Sequence, residues 1–253
     1  MENISLLAVE DYKNGLKVKD ITTKYHISTN TLSKWLEQHN VPKRTKPQNK
    51  DKDLSKFKDL DNNQLQYWIG YICADGSIQY STDKRVYKVS LYSKDDEVIE
   101  NFVNYFGEYV KVINKNNSNV KEAYINSKEL CEYFINELNI TPNKAFILNP
   151  NINYTNHFIL GYFDGDGCIR NSTEVTTRYE AKFTSGSLIF LEKIKDILDD
   201  LEIYSVIRQK EKAYDLCIER KTDSEKLYKF MYKDHGYCLS RKLNNFVALY
   251  GNI

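Results

Sequence analysis

Nothing in this 253-residue sequence is long and apolar enough to span a bilayer, and the N-terminus lacks a basic stretch followed by an apolar one. Neither a membrane protein nor a secreted one is expected. The five cysteines, Cys73, Cys131, Cys168, Cys217 and Cys238, include no CxxC pair. Zinc and disulfide frameworks are therefore not expected; core thiols in a reducing cytoplasm or organellar matrix are. An excess of one charge is missing too. The net charge is +1, so bulk charge makes no case for nucleic acid. What remains is a chain with 28% charged and 13% aromatic residues, the composition of a folded protein of two or three modest domains.

The distribution of charge says more than its sum. Residues 1–60 carry 12 Lys/Arg against 8 Asp/Glu, and residues 41–60 alone carry 7 against 3. The segment 42–62 is polar, basic and holds Pro47 after Pro42 at its start, so it reads as an extended linker whose Lys43, Arg44 and Lys46 suit phosphates or a minor groove. A merely solvated linker has the same composition. Before it, residues 1–41 read as three short helices: Ser5 to Gly15, Val18 to Tyr25, and Thr29 to Asn40. Ser28 or Thr29 caps the third, and Ile21, Tyr25, Ile27, Leu32, Trp35 and Leu36 form a core. The segment VKDITTKYHISTNTLSKWL resembles a helix-turn-helix of the resolvase or transposase type, with His26 where a glycine often begins the turn. Thr29, Asn30, Ser33 and Lys34 on the third helix suit base edges. A small helical bundle without DNA contact is the alternative.

The strongest signal lies further on. GYICADGSI, Gly70 to Ile78, and GYFDGDGCI, Gly161 to Ile169, share five of nine positions at a constant offset of 91 residues. Each follows an apolar run and reads as a buried helix. Gly70 and Ala74, like Gly161 and Gly165, are small residues four apart, a spacing that lets two backbones approach closely. Gly76 and Gly167 are suited to stop the helices as left-handed C′ residues. Asp75 and Asp166 then sit at helix C-termini, where the macrodipole disfavours an anion. If the helices pair in register, two carboxylates about 4 Å apart repel by about 4 kcal/mol at an effective dielectric near 20. A divalent cation would turn both penalties into binding energy, and all-oxygen ligation suits Mg²⁺ (or Mn²⁺) rather than Zn²⁺. One Asp-Gly alone is a common turn pair; two in matched context point to chemistry.

These segments, WIGYICADG and ILGYFDGDG, resemble the paired motifs of LAGLIDADG homing endonucleases. The first departs from the motif at Cys73, where the second keeps Asp164. The resemblance implies that Asp75 and Asp166 are catalytic and bind metal, with the main-chain carbonyls of Ala74 and Gly165 beside them. It further implies a lysine after the last helix of each repeat near the scissile phosphates. Lys144 (in PNKAFIL) and Lys242 (in LSRKLNNF) are the matches, and each alone reads equally as a surface lysine.

After each motif the same elements recur: hairpin, helix, two strands, helix. The fold expected is α+β, two pseudo-symmetric αββαββα subdomains (63–150 and 151–253) forming a saddle, preceded by a small all-α domain. Alternation puts Ser77, Gln79 and Ser81 on one face, Lys88, Ser90 and Tyr92 on its neighbour, and Arg170, Ser172 and Lys182 on the matching face of the second half. The resemblance implies that this face lies in the major groove, where Gln79 suits adenine and Arg170 guanine. The function implied is a monomeric, site-specific endonuclease of double-stranded DNA, with no obligate protein partner. Its rivals are a non-catalytic DNA-binding regulator and an intron maturase that binds RNA. The many Asn, Lys, Tyr and Ile residues fit an AT-rich mobile element.

Overall fold

The computed structural model describes residues 2–44, 54–115, 118–170 and 180–252. The chain divides into two compact units, Met1–Asp53 and Leu54–Ile253. Among the described residues no helix is long and apolar enough to cross a membrane.

The first unit holds α1 (Glu2–Lys13), α2 (Val18–Lys24) and α3 (Thr29–Gln38). Their apolar faces bury Ala8, Val9, Tyr12, Ile21, Leu32 and Leu36, with Tyr25, Ile27 and Trp35 partly covered. Ser28 caps α3: its hydroxyl accepts from the Thr31 amide, one of the donors a helix start leaves free. The turn into α3 passes through His26 at φ +52°, a left-handed conformation that costs a non-glycine residue about 1–2 kcal/mol. Lys43 and Arg44, expected to track phosphates, are engaged within the unit. Lys43 pairs with Glu37 at 2.7 Å. The Arg44 guanidinium lies over the Tyr12 ring and donates to the carbonyls of Tyr12, Gly15 and Leu16, at and beyond the end of α1, where carbonyls lose their i+4 amides. Lys46 lies outside the described residues.

The second unit opens earlier than expected. Leu54 and Phe57, inside the segment read as linker, are core residues, and Phe57 stacks on Phe106 with ring centroids 4.6 Å apart. The elements then run α4 (Asn63–Asp75), β1 (Gly76–Ser81), β2 (Val86–Ser93), α5 (Asp96–Phe106), β3 (Val110–Asn114), β4 (Lys121–Asn126) and α6 (Lys128–Asn136). The second half repeats them: α7 (Asn156–Asp166), β5 (Gly167–Ile169), β6 (Ala181–Ser185), α8 (Leu188–Asp200), β7 (Val206–Gln209), β8 (Tyr214–Ile218) and α9 (Lys221–Tyr232). Each half forms a four-stranded antiparallel sheet of the same order, β1-β2-β4-β3 and β5-β6-β8-β7. The mixed α and β architecture is the one expected. Val89, Leu91, Ala123 and Ile125 in the first sheet, and Ala181, Phe183, Leu216 and Ile218 in the second, alternate toward the helices and are buried. The opposite face of each sheet is polar, as alternation requires.

One element lies outside the expected repeat. α10 (Ser240–Tyr250) packs Phe246 against Tyr228, centroids 5.1 Å apart and rings nearly parallel. Its signal in the sequence is a helical spacing of Leu239, Leu243, Phe246 and Tyr250, interrupted by Arg, Lys and two Asn.

Candidate active site

Two helix caps start the site. Asn62 accepts from the amides of Gln64 and Leu65 at the head of α4, and Thr155 accepts from Phe158 at the head of α7. Between them and Asp-Gly, the two helices are buried nearly all round and lie against each other. The backbones touch: a Cβ on Gly70 would sit 2.1 Å from Phe158 O, one on Gly161 1.9 Å from Tyr67 O, and one on Gly165 2.3 Å from the Ala74 Cβ. Gly70 thus meets the turn holding Gly161, and Ala74 meets Gly165, so the helices pair in register and end together. The terminal glycines work differently from expectation. Gly76 and Gly167 are extended, with φ of −97° and −88°, not left-handed. They are needed because a Cβ there would lie 2.5 Å from Ile72 O or 2.4 Å from Phe163 O.

Asp75 and Asp166 therefore come to the same end of the pair. Asp75 is open to solvent and Asp166 half-buried. The surrounding protein raises both carboxyls; for Asp166 the neighbouring Asp75 adds to it, and its pKa reaches about 6. Lys144 and Lys242 pull both back down. Asp75 also lines a cleft of about 250 Å³ with Tyr92, Lys94, Asp95 and Arg241.

Each lysine serves the motif helix of its own half. Lys144, half-buried in a 3-10 turn (Lys144–Phe146), donates to Ala74 O at 3.3 Å. Lys242, 3% exposed, donates to the carbonyls of Phe163, Asp164 (2.9 Å) and Gly167 (2.6 Å) at the end of α7. A cation there offsets the negative end of the helix dipole. Burial lowers both ammonium pKa values, Lys242's to about 8. Neither is a surface lysine.

In the sequence Asp164 is no more than a motif position. In the structure it is wholly buried. It accepts from the Tyr67 hydroxyl of α4 at 2.9 Å and from the Leu239 amide at 2.7 Å, so it ties both motif helices to the start of α10 and hence places Lys242. Burial pushes its carboxyl up to about 6. Its counterpart Cys73 is a buried thiol, and among the described residues no helix like α10 follows the first half.

Of the residues expected on the DNA face, Ser77, Gln79 and Ser81 lie on the outer face of β1, with Gln79 exposed. Lys88 pairs with Glu122, Lys182 with Asp215 and Arg170 with Glu180. Ser90 corrects expectation: it is fully buried and its hydroxyl donates to Glu122 at 2.7 Å, which leaves no surface for a base edge. Ser172 lies outside the described residues. In the first unit Thr29, Asn30 and Lys34 are exposed and Ser33 is half-buried.

Two matching α+β halves, joined through glycine-packed helices that deliver one acid each to a common end, define a two-motif LAGLIDADG protein. The chain belongs to that family: the LAGLIDADG-like domain matches residues 62–139 and 153–233. The uncharacterized protein MJ0398 of Methanocaldococcus jannaschii is 26% identical over 241 residues, covering 90% of this chain and 77% of that protein. Among solved structures, the homing endonuclease I-WcaI bound to its DNA recognition sequence superposes with TM-score 0.52 at 19% identity, over 83% of this chain and 96% of its own. The LAGLIDADG meganuclease I-AabMI, bound to uncleaved DNA, gives 0.52 at 16% identity over 74% and 90%. I-DmoI in complex with DNA and Mn gives 0.50 at 17% identity over 68% and 98%. These likenesses are likenesses of fold.

Proposed function

We propose that the chain is a metal-dependent endonuclease that cuts double-stranded DNA at a specific site, acting as a monomer whose two halves each supply one acid. The meeting of Asp75 and Asp166 at the paired ends of α4 and α7, each backed by a lysine of its own half, carries this reading. Two carboxylates beside the Ala74 and Gly165 carbonyls form an all-oxygen donor set. That set fits Mg²⁺ or Mn²⁺, since Mg²⁺ is commonly held by one or two carboxylates with water and phosphate completing the shell. The fit is also electrostatic, because burial raises each carboxyl and a bound cation would offset that cost further than Lys144 and Lys242 do. Bound there, the metal supplies an activated water and positive charge at the leaving 3′ oxygen.

The chain's own residues do the rest. Asp75 and Asp166 would hold the cation. Lys144 and Lys242 add fixed positive charge where negative charge develops. Lys242 acts by its field, since its hydrogens go to three carbonyls. Ser77, Gln79, Ser81, Lys88, Arg170 and Lys182 face the duplex. DNA-bound structures of the same fold support that partner. Residues 1–41, whose segment 18–36 resembles a helix-turn-helix, extend the recognised site through Thr29, Asn30, Ser33 and Lys34.

Asp75→Asn and Asp166→Asn should each abolish double-strand cleavage of a randomised duplex library, while affinity in Ca²⁺ stays within a few-fold of wild type. Each change removes a ligand charge and keeps the shape. Wild-type cleavage by either variant would end the assignment.

A further inference from the structure

Glu122, in β4, lies opposite Tyr92 on the outer face of the first sheet, yet it is wholly buried. Its Oε1 accepts from Lys88 Nζ (2.6 Å), Ser90 Oγ (2.7 Å) and Tyr92 Oη (3.2 Å), and its Oε2 lies 2.6 Å from Lys115 Nζ. The second sheet repeats the arrangement at the same register. Leu91 and Phe183 face Gly76 and Gly167, so Tyr92 matches Thr184 and Glu122 matches Asp215. Asp215 Oδ1 accepts from Thr184 Oγ1 at 2.7 Å, and its Oδ2 lies 3.0 Å from Lys182 Nζ and 2.6 Å from Lys210 Nζ. Lys115 and Lys210 each follow an edge strand of their sheet, β3 and β7. The longer Glu reaches Lys88, four residues before Tyr92; the shorter Asp reaches Lys182, two before Thr184.

An acid on a face that meets phosphate would repel it if bare. Here each acid is covered by two ammonium groups, so each cluster keeps one net positive charge. A buried ion pair repays the desolvation of its charges only in part, so it is weak evidence of a purely stabilising role. The same cluster at the same place in both sheets, built from different residues, therefore calls for a second role.

We propose that Glu122 and Asp215 are positioning residues for DNA recognition: each holds two lysine ammonium groups at a set height on its sheet, where they meet base edges and are withheld from loose phosphate contacts. The inference rests on the DNA reading above. A lysine so held can donate to guanine O6 and N7. A lysine let go becomes an ordinary phosphate partner.

The test compares wild type with Glu122→Gln and Asp215→Asn, by fluorescence anisotropy in Ca²⁺ across a salt series. The probes are a mixed-sequence duplex and duplexes selected by the wild type from a randomised library. The variants should bind the mixed-sequence duplex more tightly, with a log–log salt slope steeper by about 0.9 for each lysine released. Their preference for selected over mixed duplex should shrink at least several-fold. Wild-type slope and preference in both variants would reduce the acids to sheet staples and overturn the proposal. Lys115→Gln decides the matter if the acid variants unfold, since Lys115 is the more solvent-accessible lysine of its cluster. It should weaken binding to selected duplexes more than to the mixed one; equal losses would overturn the proposal. A wild type that binds neither probe overturns the DNA reading, and the inference with it.

Discussion

Lys144 and Lys242 occupy matching places but differ in what they leave behind when removed. Lys144 donates to one carbonyl at 3.3 Å, whereas Lys242 satisfies three carbonyls at the end of α7. Alanine at Lys144 should slow cleavage by about 10–1000-fold with little change in melting temperature. Alanine at Lys242 should slow cleavage comparably and also cost about 1–3 kcal/mol, because buried acceptors lose a charged donor. Thermal melts beside single-turnover rates separate the two; an unchanged melt for Lys242→Ala would refute the structural half. The acids give a pH prediction. Folded Asp164 and Asp166 have carboxyls raised from 3.8 to about 6, so their contribution to stability is fully present below about 3.8 and is lost as pH rises through about 6. Glu122 runs the other way: burial raises its carboxyl, but Lys115, Lys88 and Ser90 outweigh burial and hold it at about 2. Its stabilisation is present above about 4.5 and is lost only in stronger acid. Between pH 5 and 7.5 the buried acids therefore dominate. In EDTA the melting temperature should fall across that window, and Mg²⁺ or Mn²⁺ should restore more of it at pH 7.5 than at pH 5. Asp166→Asn should flatten both effects. A melt indifferent to cation at pH 7.5 would argue against a metal at this acid pair.

The paired helices make the sharpest structural demand. At Gly161 a methyl group would meet a main-chain carbonyl at 1.9 Å, and backbone cannot step aside without separating α4 from α7. Gly161→Ala should destabilise the protein by about 3 kcal/mol or more, at the upper end of overpacking penalties. Gly236 is the control, since its nearest neighbour, the Gln64 amide, lies 3.6 Å from a built Cβ. Gly236→Ala should stay within about 0.5 kcal/mol of wild type. Equal melting temperatures for the two variants would contradict the close pairing. These helices are legible in the sequence because the signal is doubled: glycine spacing, apolar runs and Asp-Gly recur at one offset. The strands are legible to within a residue or two where alternation is clean, as in Ser77–Ser81. The glycine after each motif does stop its helix, but not for the reason the sequence suggests, since crowding by Ile72 and Phe163 cannot be seen without the fold. α10 escapes the sequence pattern because polar residues break its apolar spacing. Glu122 and Asp215 are invisible for a deeper reason. Their partners are set by strand register, and register pairs residues some thirty positions apart.

For the whole molecule the question is where one unit can be cut from the other. Composition alone runs the basic segment on to residue 62, because Leu54 and Phe57 are two apolar residues in a lysine-rich stretch. The structure assigns them to the second unit's core, with Phe57 stacked on Phe106 and edge-on to Tyr109. Two truncations then behave differently. A protein lacking residues 1–53 keeps every core residue of its own unit and should melt near the full-length value for that unit. A protein lacking residues 1–60 loses Leu54 and Phe57 and opens a cavity beside Phe106; it should melt lower, by an amount equivalent to about 3–5 kcal/mol or more. The shorter truncation is thus the fair test of the three-helix unit. If that unit binds DNA, its removal should weaken affinity in Ca²⁺, shorten the footprint on one side of the cut, and reduce the salt slope by about 0.9 for each phosphate no longer neutralised. Arg44 is tied to the end of α1 and Lys43 to Glu37, so Lys34 on α3 becomes the cation to watch. Lys34→Gln in the full-length protein should reproduce about one phosphate's share of that reduction. A truncated protein that folds, yet protects the same base pairs with the same slope as the full chain, would leave the three-helix unit without a role in DNA binding.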